Sequence, residues 1–215
     1  MPRASTRLLV VLLAPAIVGI PAAAAGAALV GRVGAGFVPS GARMELAGFG
    51  REGCNKDDTT IGVYAKGTRL VAGFRGLRAV NGPNGLERVR KCAIQLMVHS
   101  PEGWRFTPLG ARVAGTAWVD GKRVVRASTT LRREIVDLPS GSTITFGAAD
   151  SGALWSRQQS FDPPIAVRCV PTSWLSIFVG ADAAQPDGPQ APAAIEISRW
   201  DMSLSDFRWQ KCGDR

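Results

Sequence analysis

The run RVRKCAIQLMVH, residues 88–99, decides the fold. Cys92, Ile94, Leu96 and Val98 fall on one parity, and Lys91, Ala93, Gln95, Met97 and His99 on the other. Successive side chains of a strand point to opposite faces, so this period of two predicts a strand with one face in a core. A helix would scatter the same apolar residues around its circumference.

The pattern repeats on both sides of this run, in short segments broken by glycine, proline and aspartate. In residues 122–133, Val125, Ala127, Thr129 and Leu131 alternate with Arg126, Ser128, Thr130 and Arg132. Further strands are expected at 59–65, 69–74, 111–119, 143–146, 174–181, 195–204 and 207–212. Asp120-Gly121, between the segments 111–119 and 122–133, predicts a tight hairpin because that dipeptide accepts positive φ angles. Trp200, Met202 and Leu204 share one parity while Phe207 and Trp209 share the other. A bulge or turn at Ser205-Asp206 is therefore required to bury both sets. Pro163-Pro164, and residues 183–193 with Pro186, Pro189 and Pro192, read as loops, because proline cannot donate to a ladder. The expected fold class is all-β, an antiparallel β-sandwich with little helix outside the N-terminal leader.

That leader is residues 1–25. Arg3 and Arg7 precede an apolar run from Leu8 to Ile20 and a small-residue stretch from Ala22 to Ala25, which reads as a cleavable secretory signal. The apolar run is interrupted by Pro15 and falls short of the ~20 residues a spanning helix needs. No later run supplies a transmembrane segment, so a secreted, extracellular product is expected. Residues 26–43 read as a linker or loosely ordered segment, 44–212 as a single β-sandwich domain and 213–215 as a tail.

In an oxidising compartment the four cysteines, Cys54, Cys92, Cys169 and Cys212, point to two disulfides. Zinc sites need close cysteine pairs, and no two here are nearer in sequence than Cys54 and Cys92, so no metal is expected. Three pairings are open. Sequential pairing, Cys54 with Cys92 and Cys169 with Cys212, closes two loops of similar length, each stabilising by roughly 4 kcal/mol in the chain-entropy picture.

In order along the chain come Gly50 to Cys54, then Arg90-Lys91-Cys92 leading into the alternating strand, then Pro101-Glu102-Gly103-Trp104. Leu154-Trp155-Ser156 follows, then Cys169 before a Leu175-Ser176-Ile177 strand, and finally Phe207-Arg208-Trp209-Gln210-Lys211-Cys212. This succession resembles the secreted four-cysteine domain of unknown function numbered 4360, found in bacteria and fungi, across essentially the whole mature chain. Two departures stand out. Residues around Phe161, Asp162, Pro163 and Pro164 are inserted between Trp155 and Cys169, and Arg112-Val113-Ala114-Gly115 stands where that family tends to show an Arg-Gly pair. The resemblance implies a fold and a compartment but no reaction.

The chemistry in the residues is sparse. His99 is the only histidine, and no Gly-x-Ser-x-Gly motif marks a nucleophile for it to serve. The 17 acids are scattered, with no pair marked for a glycosidase. Asp57-Asp58 offers oxygen ligands for calcium but reads as a solvated turn. No glycine-rich phosphate loop is present, and no cofactor is expected. The 26 basic residues against 17 acidic give a net charge of +9, which suits an anionic partner, although basic residues scattered along the chain read first as a compositional bias. The nearest basic candidates are Arg88, Arg90 and Lys91 with Lys122, Arg123, Arg126, Arg132 and Arg133.

Most of the six tryptophans should be core. Trp118 and Trp174 are the exceptions to test, because each can stand on the face opposite its apolar neighbours. On the strand at 174–181, burial of both faces is the simpler expectation. Together these residues suggest a non-enzymatic binding module for glycan or anionic wall polymer, with Trp118, Trp174, Arg126 and Arg132 as ligand contacts. Nucleic acid is not an expected partner. A carboxylate-dependent glycan hydrolase and a secreted inhibitor or effector are the alternatives.

Overall fold

The structure is a computed structural model, and it describes residues 36–50, 53–81, 88–133, 139–183 and 192–213. The expected signal at 1–25 lies outside the described residues, as do most of the proline-rich loop at 183–193 and the last two residues of the tail.

Thirteen strands are described. They are β1 (Arg43–Gly50), β2 (Thr59–Tyr64), β3 (Arg69–Phe74), β4 (Arg78–Asn81), β5 (Val89–His99), β6 (Trp104–Pro108) and β7 (Gly110–Val119), then β8 (Val125–Arg132), β9 (Ser140–Phe146), β10 (Leu154–Ser160), β11 (Thr172–Asp182), β12 (Ala193–Ser203) and β13 (Phe207–Lys211). The only helices among the described residues are single 3-10 turns, and none is long and apolar enough to cross a membrane. The fold is the all-β antiparallel sandwich that the alternation predicts. One sheet runs β1-β5-β11-β8-β9. The other runs β10-β7-β12-β3-β2, with β4 also pairing with β12, and a small third sheet joins β13 to β6.

The alternation of β5 is realised side chain by side chain. Cys92, Ile94, Leu96 and Val98 are fully buried, and across the ladder Leu175, Ile177 and Val179 of β11 are too. Val113, Ile195, Ile197 and Trp200 close the core from the second sheet. One polar chain crosses this apolar layer. The Thr129 hydroxyl of β8 donates to Gln159 Oε1 of β10 and accepts from Trp200 Nε1 at 3.2 Å, while Gln159 Nε2 donates to the carbonyls of Ala127 and Ser142. Each buried polar atom in it has a partner, which is the condition for such a chain to stabilise rather than cost.

The parity change near the C-terminus is resolved as the sequence requires. Leu204–Asp206 forms a 3-10 turn in which the Asp206 carboxylate accepts from the Ser203 N–H at 3.2 Å. Trp200, Met202 and Leu204 thereby join Phe207 and Trp209 in the core. Phe106, Phe207 and Trp209 pack as an aromatic cluster with centroids 5.3–6.2 Å apart.

The hairpin expected at Asp120-Gly121 does not form. Gly121 does take φ +64°, but β7 belongs to the second sheet and β8 to the first. The dipeptide turns an arch between layers rather than a ladder within one. Turn chemistry fixes the local backbone only. Both strands bury one face, and packing those faces against each other satisfies the same pattern as pairing the strands edge to edge.

The structure pairs Cys54 with Cys92 and Cys169 with Cys212, with Cα atoms 5.0 and 5.9 Å apart. The first bond is sealed in the core, both cysteines being at most 3% exposed. The second lies at the surface, beside a hollow lined by Pro101, Trp104 and Pro171. Thiol–disulfide exchange needs access for the attacking thiolate. A mild reductant under native conditions will therefore open Cys169–Cys212 first, which alkylation and peptide mass mapping reads out. Equal rates for the two bonds would contradict the burial shown.

Candidate binding face on the first sheet

The outer face of the five-stranded sheet is built from residues that alternate with the core. The ladder β5-β11-β8 sets them in rows: Val89, Asp182 and Arg126; then Lys91, Gly180 and Ser128; then Ala93, Phe178 and Thr130; then Gln95, Ser176 and Arg132. Beyond these, Trp174 lies beside Met97, and Thr172 beside His99. The sheet register thus gathers residues far apart in sequence.

Phe178 forms the floor of the face. The Arg132 guanidinium carbon lies 5.7 Å from its ring centroid, within cation–π range. Lys91, Ser128, Thr130, Arg132 and Phe178 line a hollow of about 180 Å³. Gly180 sets its shape. A Cβ there would lie 2.7 Å from Ser128 Oγ and 3.4 Å from Lys91 Cγ, so a side chain would fill the space between the lysine and the hydroxyls. Ser176 donates to Gln95 Oε1 at 3.0 Å, fixing the amide beside it.

Trp174 is 51% exposed. The expectation that both faces of this strand are buried is overturned at Trp174, while further along the same face Ser176 and Phe178 are half-buried and Gly180 is buried. Four residues further along β11 comes Phe178, a spacing of about 13 Å on one face of a strand. Trp174 also borders a second hollow of about 180 Å³, lined with Arg133, Arg168 and Thr172. Two aromatic rings and two hollows thus follow one strand. Among the cations, Arg126 reaches Asp182 at 4.0 Å and Arg133 donates to the Ala166 carbonyl at 3.2 Å.

Of the four contacts anticipated from sequence, Trp174, Arg126 and Arg132 share this face. Trp118 does not. It stands on β7, outward from the second sheet, 40% exposed with Arg78 5.8 Å from its ring centroid. Lys91 joins the face from the basic set, and its parity in the 88–99 run already placed it outward. Phe178 shares the parity of Trp174 on β11. Its partner Arg132 is remote in sequence, and only the β8–β11 register brings them together.

His99 lies at the end of the same face. Its Nδ1 is 3.2 Å from Thr172 Oγ1 and its Nε2 is 3.2 Å from Glu45 Oε2, a chain across β11, β5 and β1. Both ring nitrogens are engaged, and the three side chains clamp neighbouring strands. Near Cys54, Asp58 is part of a closed turn rather than an open ligand set. Its carboxylate accepts from the Asn55 N–H at 3.2 Å and from Asn55 Nδ2 at 3.0 Å, and Asn55 Oδ1 accepts from the Asp57 and Asp58 N–H groups. The backbone hydrogen bond from Asn55 is the largest cause holding the Asp58 carboxyl below its ordinary value. What it adds to stability is present above the ordinary carboxylate range and is lost as pH falls through the lowered value.

A family model described as a domain of unknown function, DUF4360, matches residues 42–212, a span that takes in every strand and both disulfides. The chain belongs to the DUF4360 family. No curated protein matches this DUF4360 chain in sequence. Among solved structures, TmCBM61 in complex with β-1,4-galactotriose overlaps it at 12% identity and TM-score 0.27, covering 80% of this chain and 90% of that one. The family 11 carbohydrate-binding module of the cellulosomal cellulase Lic26A-Cel5E of Clostridium thermocellum does so at 6% identity and TM-score 0.24, covering 77% and 84%. The enzymatically active domain of tailspike protein 4 of bacteriophage CBA120 is 11% identical at TM-score 0.22, covering 80% of this chain and 20% of that one. These scores are low, and nothing about the ligand of this DUF4360 domain follows from them.

Proposed function

We propose that this DUF4360 protein is a secreted, non-enzymatic binding module that holds an anionic glycan or wall polymer along β11, on the outer face of the first sheet. The observation that carries this reading is the pair of aromatic rings, half-exposed Trp174 and half-buried Phe178, set along the outer face of β11 among Lys91, Arg126 and Arg132. Sugar rings present an apolar face that suits an aromatic ring and a rim of hydroxyls that suits Ser128, Thr130 and Gln95. Acidic groups on the polymer suit guanidinium and ammonium groups, with arginine able to engage two oxygens at once. An aromatic floor with a few placed polar groups is the usual composition of a ligand site. The two disulfides support an oxidising, extracellular setting.

The test is retention on matched polysaccharides. A uronate-bearing polymer such as polygalacturonate should hold the protein, its methyl-esterified counterpart should hold it weakly, and raising the ionic strength should release it, because exposed charges are screened within ~10 Å. Equal retention on both polymers would remove the anionic part of the reading. Retention on neither, nor on any wall polymer in a broad panel, would remove the reading itself.

A further inference from the structure

The second sheet carries its own cationic hollow on the side away from β11. Arg69 of β3, Arg112 of β7 and Arg199 of β12 converge there with Ser156 of β10, around a space of about 180 Å³. Asp201 of β12 is buried among them. A single oxygen of its carboxylate, Oδ2, holds both Arg69 Nη2 and Arg199 Nε at 3.3 Å. Arg112 is the cross-strand partner of Asp201 in the β7–β12 ladder, and its guanidinium has no partner among the described residues.

Two guanidinium groups therefore engage one carboxylate, and the residue of a third, Arg112, lines the same hollow. Each carries five N–H donors, of which Arg199 spends its Nε–H on Asp201 while Arg69 meets the same oxygen as an ion pair. Like charges held this close repel, and a second anion in the hollow would offset that repulsion while using the remaining donors. The guanidinium fork matches planar carboxylates and tetrahedral phosphates or sulfates alike. The buried Asp201 fixes two of the three forks in place before any ligand arrives, which reduces the ordering cost of binding.

We infer that Arg69, Arg112 and Arg199, organised by Asp201, form a binding site for a single oxyanion group, a carboxylate, phosphate or sulfate, on the face opposite the glycan track. The site stands apart from that track and does not depend on it. On a polymer carrying such groups it gives each molecule a second point of attachment.

The experiment is an NMR titration of the protein with acetate, inorganic phosphate and sulfate separately, following the side-chain Nε–Hε signals of Arg69, Arg112 and Arg199. At least one anion should give saturable shifts there, and the one that does so assigns the ligand as carboxylate or tetrahedral anion. Arg112→Gln should weaken that binding about tenfold, the scale of one charge-assisted contact, whereas Arg132→Gln on the other face should leave it unchanged. Ser156→Asp, which puts a carboxylate into the hollow, should abolish it and serves if Arg112→Gln fails to fold. Shifts that stay linear with all three anions, or binding unaltered by Arg112→Gln or by Ser156→Asp in folded protein, would overturn the inference.

Discussion

Replacing Gly115 by alanine lowers the melting temperature by about 6–12 °C or prevents folding outright, the shift expected for a loss of about 3 kcal/mol in a domain of this size. Gly115 sits in β7 between β10 and β12, opposite Trp155 and Ile197. A Cβ there would lie 2.0 Å from the Glu196 carbonyl oxygen and 2.9 Å from Trp155 Cζ2. The first neighbour is backbone in a central strand and cannot step aside as a flexible side chain would. Relief requires β12 to part from β7, and β12 also pairs with β3 and β4. Gly147→Ala is the matched control. Its added Cβ meets nothing within 4 Å and its φ is −115°, so its effect should stay within about 0.5 kcal/mol. Thermal melts of the two variants side by side decide the matter, and equal stability would show that β7 and β12 are not packed as described.

The double change Trp174→Ala/Phe178→Ala lowers affinity for an acidic polysaccharide by about a hundredfold, a loss of about 1.4 kcal/mol, or tenfold, for each aromatic anchor. Stability should change far less, because Trp174 is half exposed and the Phe178 ring lies outside the core. Trp118→Ala, on the opposite sheet, should leave affinity for the track unaltered. Equilibrium titration with melting curves on the same samples separates loss of binding from loss of fold. If Trp118→Ala removed binding and the double change did not, the track would have been assigned to the wrong face.

Much of this architecture is written in local alternation. The parity of residues 88–99 placed Cys92, Ile94, Leu96 and Val98 inside and Lys91 outside, and the phase break before Phe207 demanded the turn at Leu204–Asp206. Those features depend on neighbours within one strand. What depends on partners across the sheet is not legible this way. Asp120-Gly121 looks the same whether it closes a hairpin or an arch, and only the packing of both apolar faces against each other selects the arch. Trp118 and Trp174 carry the same outward signal in sequence yet emerge on opposite sides of the sandwich. Gly115 appeared only as a departure from a familiar pairing, while its necessity lies in the approach of Glu196. The stretches 43–50, 78–81, 104–108 and 154–160 were not expected as strands. β1 is interrupted by a bulge between Leu46 and Gly48, β4 and β6 are short, and β10 is a largely exposed edge.

The most direct measurement of the central claim is a map of amide shifts in the protein titrated with an acidic oligosaccharide of the polymer it retains. A ligand lying along β11 should shift residues in the rows of Lys91, Phe178 and Ser176, together with Trp174 and Arg132, and leave the β2 amides unmoved. Shifts confined to the loops at the ends of the sandwich, with β5, β11 and β8 silent, would contradict it.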